Sequence, residues 1–360
     1  MKILITGGHV TPALAVIEEL RGHELVFVGR KYALEQEQTL SFEFKEIAKR
    51  KVKFIPITTG RSLSFLNLFS FFKIPFGFYQ AYKIIREEKP DIVLTFGSYL
   101  AVPIACWARI FDIPVYLHEQ TSIPGKATKF IGKFAKKIFI SFPETKTYFP
   151  SEKVRLTGNP IRKAVSLILK KPFPLQKEQV VLYVTGGSLG SHSINQHIEN
   201  LLARLLKKYT VIHQVGDTRR YNDFERLLEK KSKLPEELKN QYFVFKHFSE
   251  EEVGYVYSLA DVVVGRAGAN TFFELVSLEK PAVFIPLPWS AEKEQQKQAK
   301  IFKDAGVGEI FNQTEKSENL LSIINAIFQN LAKYKSNFRN LKKLYKENAA
   351  RTIAKEILKN

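Results

Sequence analysis

Short runs of β-branched and aromatic residues alternate with segments whose apolar positions recur at helical spacing, from one end of the chain to the other. The runs predict strands over Lys2 to Thr6, Glu24 to Gly29, Lys53 to Ile57, Asp91 to Thr95, Pro114 to His118 and Lys137 to Ser141. A second series follows at Val180 to Thr185, Thr210 to Gln214, Tyr242 to Lys246, Asp261 to Gly265 and Pro281 to Pro286. Strands this apolar, separated by helices, point to parallel βαβ units with helices on both faces of a sheet. The stretch from Ser317 to Asn360 reads as helices. Both halves open with the same device, a strand ending in Thr-Gly-Gly and then a helix, at Thr6-Gly7-Gly8 and at Thr185-Gly186-Gly187. Between them Gly158-Asn159-Pro160 and Lys170-Lys171-Pro172-Phe173-Pro174 break the pattern. The reading is an α/β chain of two doubly wound, Rossmann-like parallel-sheet domains, 1–160 and 161–346, that face a central cleft at the carboxyl ends of their strands. A last helix over 347–360 packs back on the first domain.

A strand that ends in glycines and feeds a helix exposes unpaired N–H groups and the positive end of the helix dipole, which together suit an anion. Gly186-Gly187-Ser188-Leu189-Gly190 therefore reads as a phosphate cradle with Ser188 as an added donor, or as a turn kept glycine-rich for close helix–strand packing. It is neither a P-loop nor a dinucleotide fingerprint, because Gly-Lys-Ser/Thr and G-x-G-x-x-G are both missing. After the strand at Asp261, Gly265-Arg266-Ala267-Gly268-Ala269-Asn270-Thr271 leads into a helix carrying Glu274. That carboxylate could accept two hydrogen bonds from a sugar diol, or merely complement a helix dipole. Gln295 and Gln296, after Pro286-Leu287-Pro288-Trp289, offer amides that donate and accept as sugar hydroxyls require, and a solvated helix face would look the same. His9 follows the first glycine loop, where a neutral imidazole can take a proton from a hydroxyl or simply cap a helix.

Composition narrows the partners. Fifty-five Lys plus Arg against 36 Asp plus Glu give a formal charge of +19, a field that attracts polyanions. No zinc-ligand pattern, RNP-like motif or arginine run accompanies it, so the expected partner is an anionic membrane surface and no nucleic acid. The region Leu63 to Tyr82 carries six phenylalanines between Phe65 and Phe78, interrupted by Pro75 and Gly77 and flanked by Arg61, Lys83 and Arg86. It is too broken to span a bilayer, and Phe65, Leu68, Phe69, Phe72 and Phe76 are the residues expected to dip into a headgroup layer, against the alternative of a core helix. The strand-like start Lys2-Ile3-Leu4-Ile5 lacks the features of a secretory signal, which predicts a chain that stays inside the cell. Cys106, the single cysteine, reads as a buried thiol. The six Asp residues form no Asp-x-Asp pair and the histidines no zinc spacing, so no metal and no cofactor are expected, and leaving-group charge falls to backbone amides, helix ends and arginines such as Arg162.

Taken in order, these pieces resemble the MurG family of peptidoglycan synthesis, whose members transfer N-acetylglucosamine from its uridine diphosphate carrier (UDP-GlcNAc) to a lipid-linked muramyl-peptide acceptor. The markers are Thr6-Gly7-Gly8-His9 with Pro12-Ala13-Leu14-Ala15, Lys89-Pro90-Asp91-Ile92-Val93, His118-Glu119-Gln120 and Gly158-Asn159-Pro160-Ile161-Arg162. They continue with Gly186 to Gly190 and Asn195, Arg266 to Glu274, and Pro286-Leu287-Pro288 to Gln295, covering nearly the whole chain. The resemblance implies a GT-B glycosyltransferase fold and an inverting transfer at the cytoplasmic face of the bacterial inner membrane. It implies catalytic roles for His9 and Glu274. It implies donor contacts from Thr6, Gly7, Gly8, Thr121, Arg162, Gly187, Ser188, Ser249, Ala269, Asn270, Thr271, Phe272, Phe273, Glu274 and Gln295, and an acceptor side formed by Tyr99, His118 and Glu119. Three departures stand out: a first loop shorter than the family's usual one, Thr121 where Asn is usual, and Ser249 with an acidic run after Phe248. The shortened loop keeps open a related enzyme for another lipid acceptor, and a non-catalytic sugar-nucleotide binder and a nucleotide-sugar epimerase are the readings from other classes.

Overall fold

The computed structural model of the chain describes residues 1–32, 40–58, 68–175, 179–216 and 221–359, with 68–73 and 291 described by their backbone only. Two compact units emerge, Met1–Arg162 with Lys346–Asn360, and Lys163–Tyr345. In the first, β1 (Lys2–Thr6), β2 (Glu24–Gly29), β3 (Lys53–Pro56), β4 (Ile92–Thr95), β5 (Val115–Glu119), β6 (Lys137–Ile140) and β7 (Val154–Leu156) form one sheet in the order β3-β2-β1-β4-β5-β6-β7. In the second, β8 (Val181–Thr185), β9 (Thr210–Gln214), β10 (Tyr242–Phe245), β11 (Val262–Gly265), β12 (Ala282–Phe284) and β13 (Gly308–Ile310) lie in the order β10-β9-β8-β11-β12-β13. Every pairing in both sheets is parallel.

The period-two geometry of a strand explains the packing. Ile3 and Ile5 of β1 point to one face with Phe27, Leu94 and Tyr116, while Leu4 points to the other with Val28, Val93 and Leu117. Helices cover both faces, so strands buried on two sides read as continuous apolar runs, which is why the central ones were predictable. The strands β7 and β13 were not predicted. Each is three residues long at a sheet edge, and Val154-Arg155-Leu156 is too exposed to leave an apolar signature.

The carboxyl-terminal helix, Ala349–Ile357, belongs to the first unit. Ile353, Ala354 and Ile357 join the core beneath the helix Val10–Glu19. Its buried Glu356 pairs with Lys137 at 2.8 Å, Lys359 at 3.1 Å and Arg155, and these partners, the Lys137 hydrogen bond first, hold the carboxyl well down, at about 2. The helix Leu68–Glu88 runs through Pro75, where an interruption was expected. Its later turns are anchored on the sheet by Ala81, Ile84 and Ile85, which sustains the helix despite the donor that proline removes.

In each sheet the strand order reverses direction once beside the first strand, between β1 and β4 and between β8 and β11. Ligands of open α/β sheets bind outside the carboxyl ends of the strands at such a switch point. Both Thr-Gly-Gly loops sit there.

Candidate active site

In the second unit, the loop Gly186 to Gly190 is glycine-rich for reasons that differ from position to position. A Cβ on Gly186 would lie 2.3 Å from the Ser191 nitrogen, and one on Gly190, at φ +79°, would lie 2.0 Å from the Val215 oxygen. Those two admit close backbone packing. Gly187 has φ +86° but meets nothing within 4 Å, and Ser188 beside it is exposed. Gln214 stitches the site together: its amide donates to Thr185 Oγ1 at 3.1 Å and to the Gly187 carbonyl at 3.0 Å, while its oxygen accepts the Phe248 N–H at 3.1 Å. The loop thus presents Gly187 and Ser188 on a fixed base ahead of the helix His192–Leu206.

Across the switch point, β11 leads through Arg266 to the helix Ala269–Ser277, capped by Gly268. Arg266 faces inward. Its guanidinium donates to the Ile285 carbonyl at 2.8 Å, Ser191 Oγ at 2.7 Å, Ser193 Oγ at 3.0 Å and Gln313 Oε1 at 2.9 Å, bracing the two loops, and burial lowers it to about 10. Glu274 is buried and accepts the Tyr257 hydroxyl at 2.9 Å. Asn270 Oδ1 is buried with no hydrogen-bond partner among the described residues. Phe272 and Phe273 belong to the stretch expected at the donor sugar, and their side chains are core residues packed edge to face at 5.1 Å, because the helical period turns them inward. The Phe272 N–H is committed as well, to the Gly268 carbonyl at 2.9 Å. Ala269 is buried and Thr271 partly so. Gln295 Oε1 accepts the Leu287 N–H at 3.0 Å, fixing the loop after β12. Ser249 forms a capping box with Glu252 at the start of the helix Glu250–Leu259, so the expected donor contact is first of all a helix cap.

The first unit carries the other loop. Gly7 donates its N–H to the Val28 carbonyl at 2.7 Å, which leaves Gly8, His9 and the next turn to meet an anion. A Cβ on Gly8, at φ +142°, would lie 2.5 Å from Ser98 Cβ, so the loops after β1 and β4 touch. Ser98 itself holds a left-handed φ of +73°, a strain that persists where surrounding contacts enforce it. His9 is the N-cap residue of the helix Val10–Glu19, and burial pushes its ring down to about 4. Tyr99 accepts from the Arg30 guanidinium, whose carbon sits 5.0 Å from the tyrosine ring centre. Thr121 is buried, with its N–H and hydroxyl both 2.8 Å or less from Glu119 Oε1, so it orders the turn after β5. Thr6 and His118 are buried at the ends of β1 and β5, and Arg162 is half-buried at the end of this unit.

Residues 6–140 match the glycosyltransferase family 28 N-terminal domain and residues 181–357 its C-terminal domain. Over 356 residues the chain is 33% identical to the UDP-N-acetylglucosamine--N-acetylmuramyl-(pentapeptide) pyrophosphoryl-undecaprenol N-acetylglucosamine transferase of Clostridium novyi, covering 94% of each. The protein of that name from Clostridium perfringens is 34% identical, covering 94% of this chain and 93% of the relative. The chain belongs to the MurG family. Acinetobacter baumannii MurG superposes with a TM-score of 0.72 at 25% identity over 100% of both chains. A UDP-GlcNAc 2-epimerase from Neisseria meningitidis, at TM-score 0.69 and 16% identity, shares the fold alone. The protein is thus a glycosyltransferase of the GT-B fold.

Family motifs located the two loops, but they did not announce Glu43. This residue, on the helix Phe42–Lys49, sits so close that a Cβ on Gly7 would be 2.6 Å from its Oε2 and one on Gly29 would be 2.7 Å from its Oε1. It also accepts the Arg30 N–H. No local pattern marks it, since the contact joins positions far apart in sequence. The glycine geometry makes one test direct. Gly190→Ala is expected to abolish donor binding and unfold the second unit's loop, because the Val215 backbone cannot yield. Gly187→Ala, with open space, should cost only the left-handed strain of about 1–2 kcal/mol. Thermal unfolding of the two variants checks this, and equal losses would refute the steric account.

Proposed function

We propose that this chain moves N-acetylglucosamine from UDP-GlcNAc to a lipid-linked N-acetylmuramyl-(pentapeptide) pyrophosphoryl-undecaprenol, inverting the anomeric centre. The observation that carries the reading is the near full-length match, 33% identical over 94% of each chain, to a relative named for that reaction. In the second unit the Gly187 N–H is held by Thr185 Oγ1 at 3.1 Å, so the Ser188 N–H and hydroxyl and the helix behind them meet the donor diphosphate. Glu274 accepts from sugar hydroxyls, with Asn270, Thr271 and Gln295 beside it, and Arg162 meets the nucleoside. In the first unit His9 takes the proton. The acceptor hydroxyl oxygen bonds to the anomeric carbon, the bond from that carbon to the diphosphate breaks, its electron pair leaves on UDP, and the hydroxyl proton passes to the imidazole. Burial keeps His9 neutral and hence able to accept a proton at pH 7, and the negative charge of bound diphosphates raises its basicity.

Membrane docking is part of the proposal. Phe76 and Tyr79 on the helix Leu68–Glu88 are 51% and 63% exposed, and Ile110 and Phe111 at the end of the helix Ala101–Ile110 are 62% and 44% exposed. The two helices touch through Tyr82 and Trp107, 4.9 Å between ring centres. Lys83, Arg86 and Arg109 surround this apolar face, a combination that suits an anionic headgroup layer. Phe65 lies outside the described residues, and the side chains of Leu68, Phe69 and Phe72 do too. No helix among the described residues is long and apolar enough to cross a membrane. The proposed location is peripheral, on the cytoplasmic face of the bacterial plasma membrane.

The test is transfer from labelled UDP-GlcNAc to the lipid-linked muramyl acceptor in anionic vesicles, which should yield a labelled disaccharide lipid. Product formed only with diacylglycerol or another polyprenyl lipid would replace the acceptor. Donor turnover without any lipid would overturn the transferase reading. In the same vesicles, Phe76→Asp with Tyr79→Asp should reduce flotation, and undiminished flotation would remove the proposed docking face.

A further inference from the structure

The carboxyl ends of β1 and β5 carry an unusual set of buried polar atoms. Thr6 Oγ1, His118 Nδ1, Gln120 Oε1 and Ser122 Oγ are all buried without a hydrogen-bond partner among the described residues. Leaving such a group unpaired costs about 1–3 kcal/mol, so a concentration of them marks a place where something else supplies the partner. The Gln120 oxygen can only accept. What His118 Nδ1 can do depends on which ring nitrogen carries the proton, and the network behind the ring decides that.

His118 Nε2 lies 3.3 Å from Ser141 Oγ, just past the end of β6, and the Ser141 hydroxyl donates to Asn159 Oδ1 at 3.4 Å. Asn159 is oriented by its own amide nitrogen, which donates to the Pro160 carbonyl at 3.5 Å. Turning that amide over would set its oxygen against another carbonyl oxygen, so the oxygen faces Ser141. A serine hydroxyl has one proton. Since Asn159 receives it, Ser141 Oγ must accept from the ring, which places the histidine proton on Nε2 and leaves Nδ1 with a bare lone pair. His118, Ser141 and Asn159 are all at most 3% exposed, so water does not scramble the chain.

We propose that Ser141 and Asn159 are positioning residues that hold His118 as its Nε2–H tautomer, presenting Nδ1 as the acceptor for a hydroxyl of the bound acceptor sugar. The ligand class follows from the chemistry: a buried neutral acceptor, two residues from the equally unpartnered Gln120 oxygen in the chain, selects hydrogen-bond donors, which sugar hydroxyls supply and a bare phosphate does not. Burial lowers the ring to about 3, opposed by a hydrogen bond to the Gly158 backbone and joined by a smaller push from His9, so it stays neutral at working pH. The sugar assignment rests on the transfer reaction proposed above, whereas the tautomer does not.

Nitrogen-15 NMR of the full chain with labelled histidine separates the two, using His118→Gln to identify the signal. The wild type is expected to show a protonated Nε2 and an unprotonated Nδ1. A protonated Nδ1 overturns the proposal without involving any variant. Ser141→Ala should mix the tautomers and raise KM for the acceptor about tenfold, leaving donor KM unchanged, and Asn159→Leu should do the same. An unaltered tautomer in both variants, or equal losses for donor and acceptor, overturns the relay. If wild type transfers nothing yet shows the expected tautomer, the reaction assignment fails and the relay stands.

Discussion

Glu274→Ala is expected to lower transfer from UDP-GlcNAc by about two orders of magnitude, since hydrogen bonds to a charged group contribute roughly 1.5–3 kcal/mol and a sugar held by this carboxylate would lose more than one. The same change should also destabilise the second unit, because it takes from the buried Tyr257 hydroxyl the acceptor now 2.9 Å away. The two effects separate by choice of variant. Glu274→Gln keeps an oxygen for Tyr257 and removes the charge, so it should fold with near wild-type stability while donor binding still suffers. Tyr257→Phe should do the reverse. Titration calorimetry with the donor, alongside urea unfolding, measures both. If Glu274→Gln binds UDP-GlcNAc as tightly as the wild type, Glu274 supports the fold and does not hold the sugar.

What the sequence revealed, and what it hid, follows from the range of the interactions. The strands β1 and β2 were readable to the residue because strands buried on two faces leave unbroken apolar runs, Ile3 to Ile5 and Leu25 to Val28. The two Thr-Gly-Gly loops were readable because their glycines answer to neighbours a few residues away or to the adjacent strand. The side-chain direction of Phe272 and Phe273 was hidden for the opposite reason. They lie inside a stretch that reads as a binding motif, but helical geometry alternates which positions face a ligand, and these two turn to the core, Phe272 against Phe302. Side chains brought in by tertiary packing were invisible. The Ser141 and Asn159 pair joins the ends of adjacent strands, and nothing local announced that the Arg266 guanidinium would be shared among Ile285, Ser191, Ser193 and Gln313.

The shortened first loop, the clearest departure from the family pattern, gains a physical consequence from Glu43. Burial raises this carboxyl from 4.5 to about 7, against the Arg30 N–H and guanidinium, which favour the charged form. A folded-state pKa above the unfolded one means that the group supports the fold in its protonated form. That contribution is complete below about 4.5 and disappears as pH rises through about 7, after which the buried charge opposes folding. Glu43→Gln keeps an acceptor for the Arg30 N–H and has no charge to bury. It should therefore match the wild type in urea unfolding at pH 4.5 and exceed it by up to about 3 kcal/mol at pH 8. The carboxylate also abuts Gly7, in the loop proposed to face the acceptor, where a negative charge repels a diphosphate. Acceptor KM should then rise with pH between 6 and 8 in the wild type more than in Glu43→Gln. A stability gain independent of pH would show that Glu43 is ionised in the fold, and with it would go the view that this loop tunes acceptor binding through a carboxyl that titrates near neutrality.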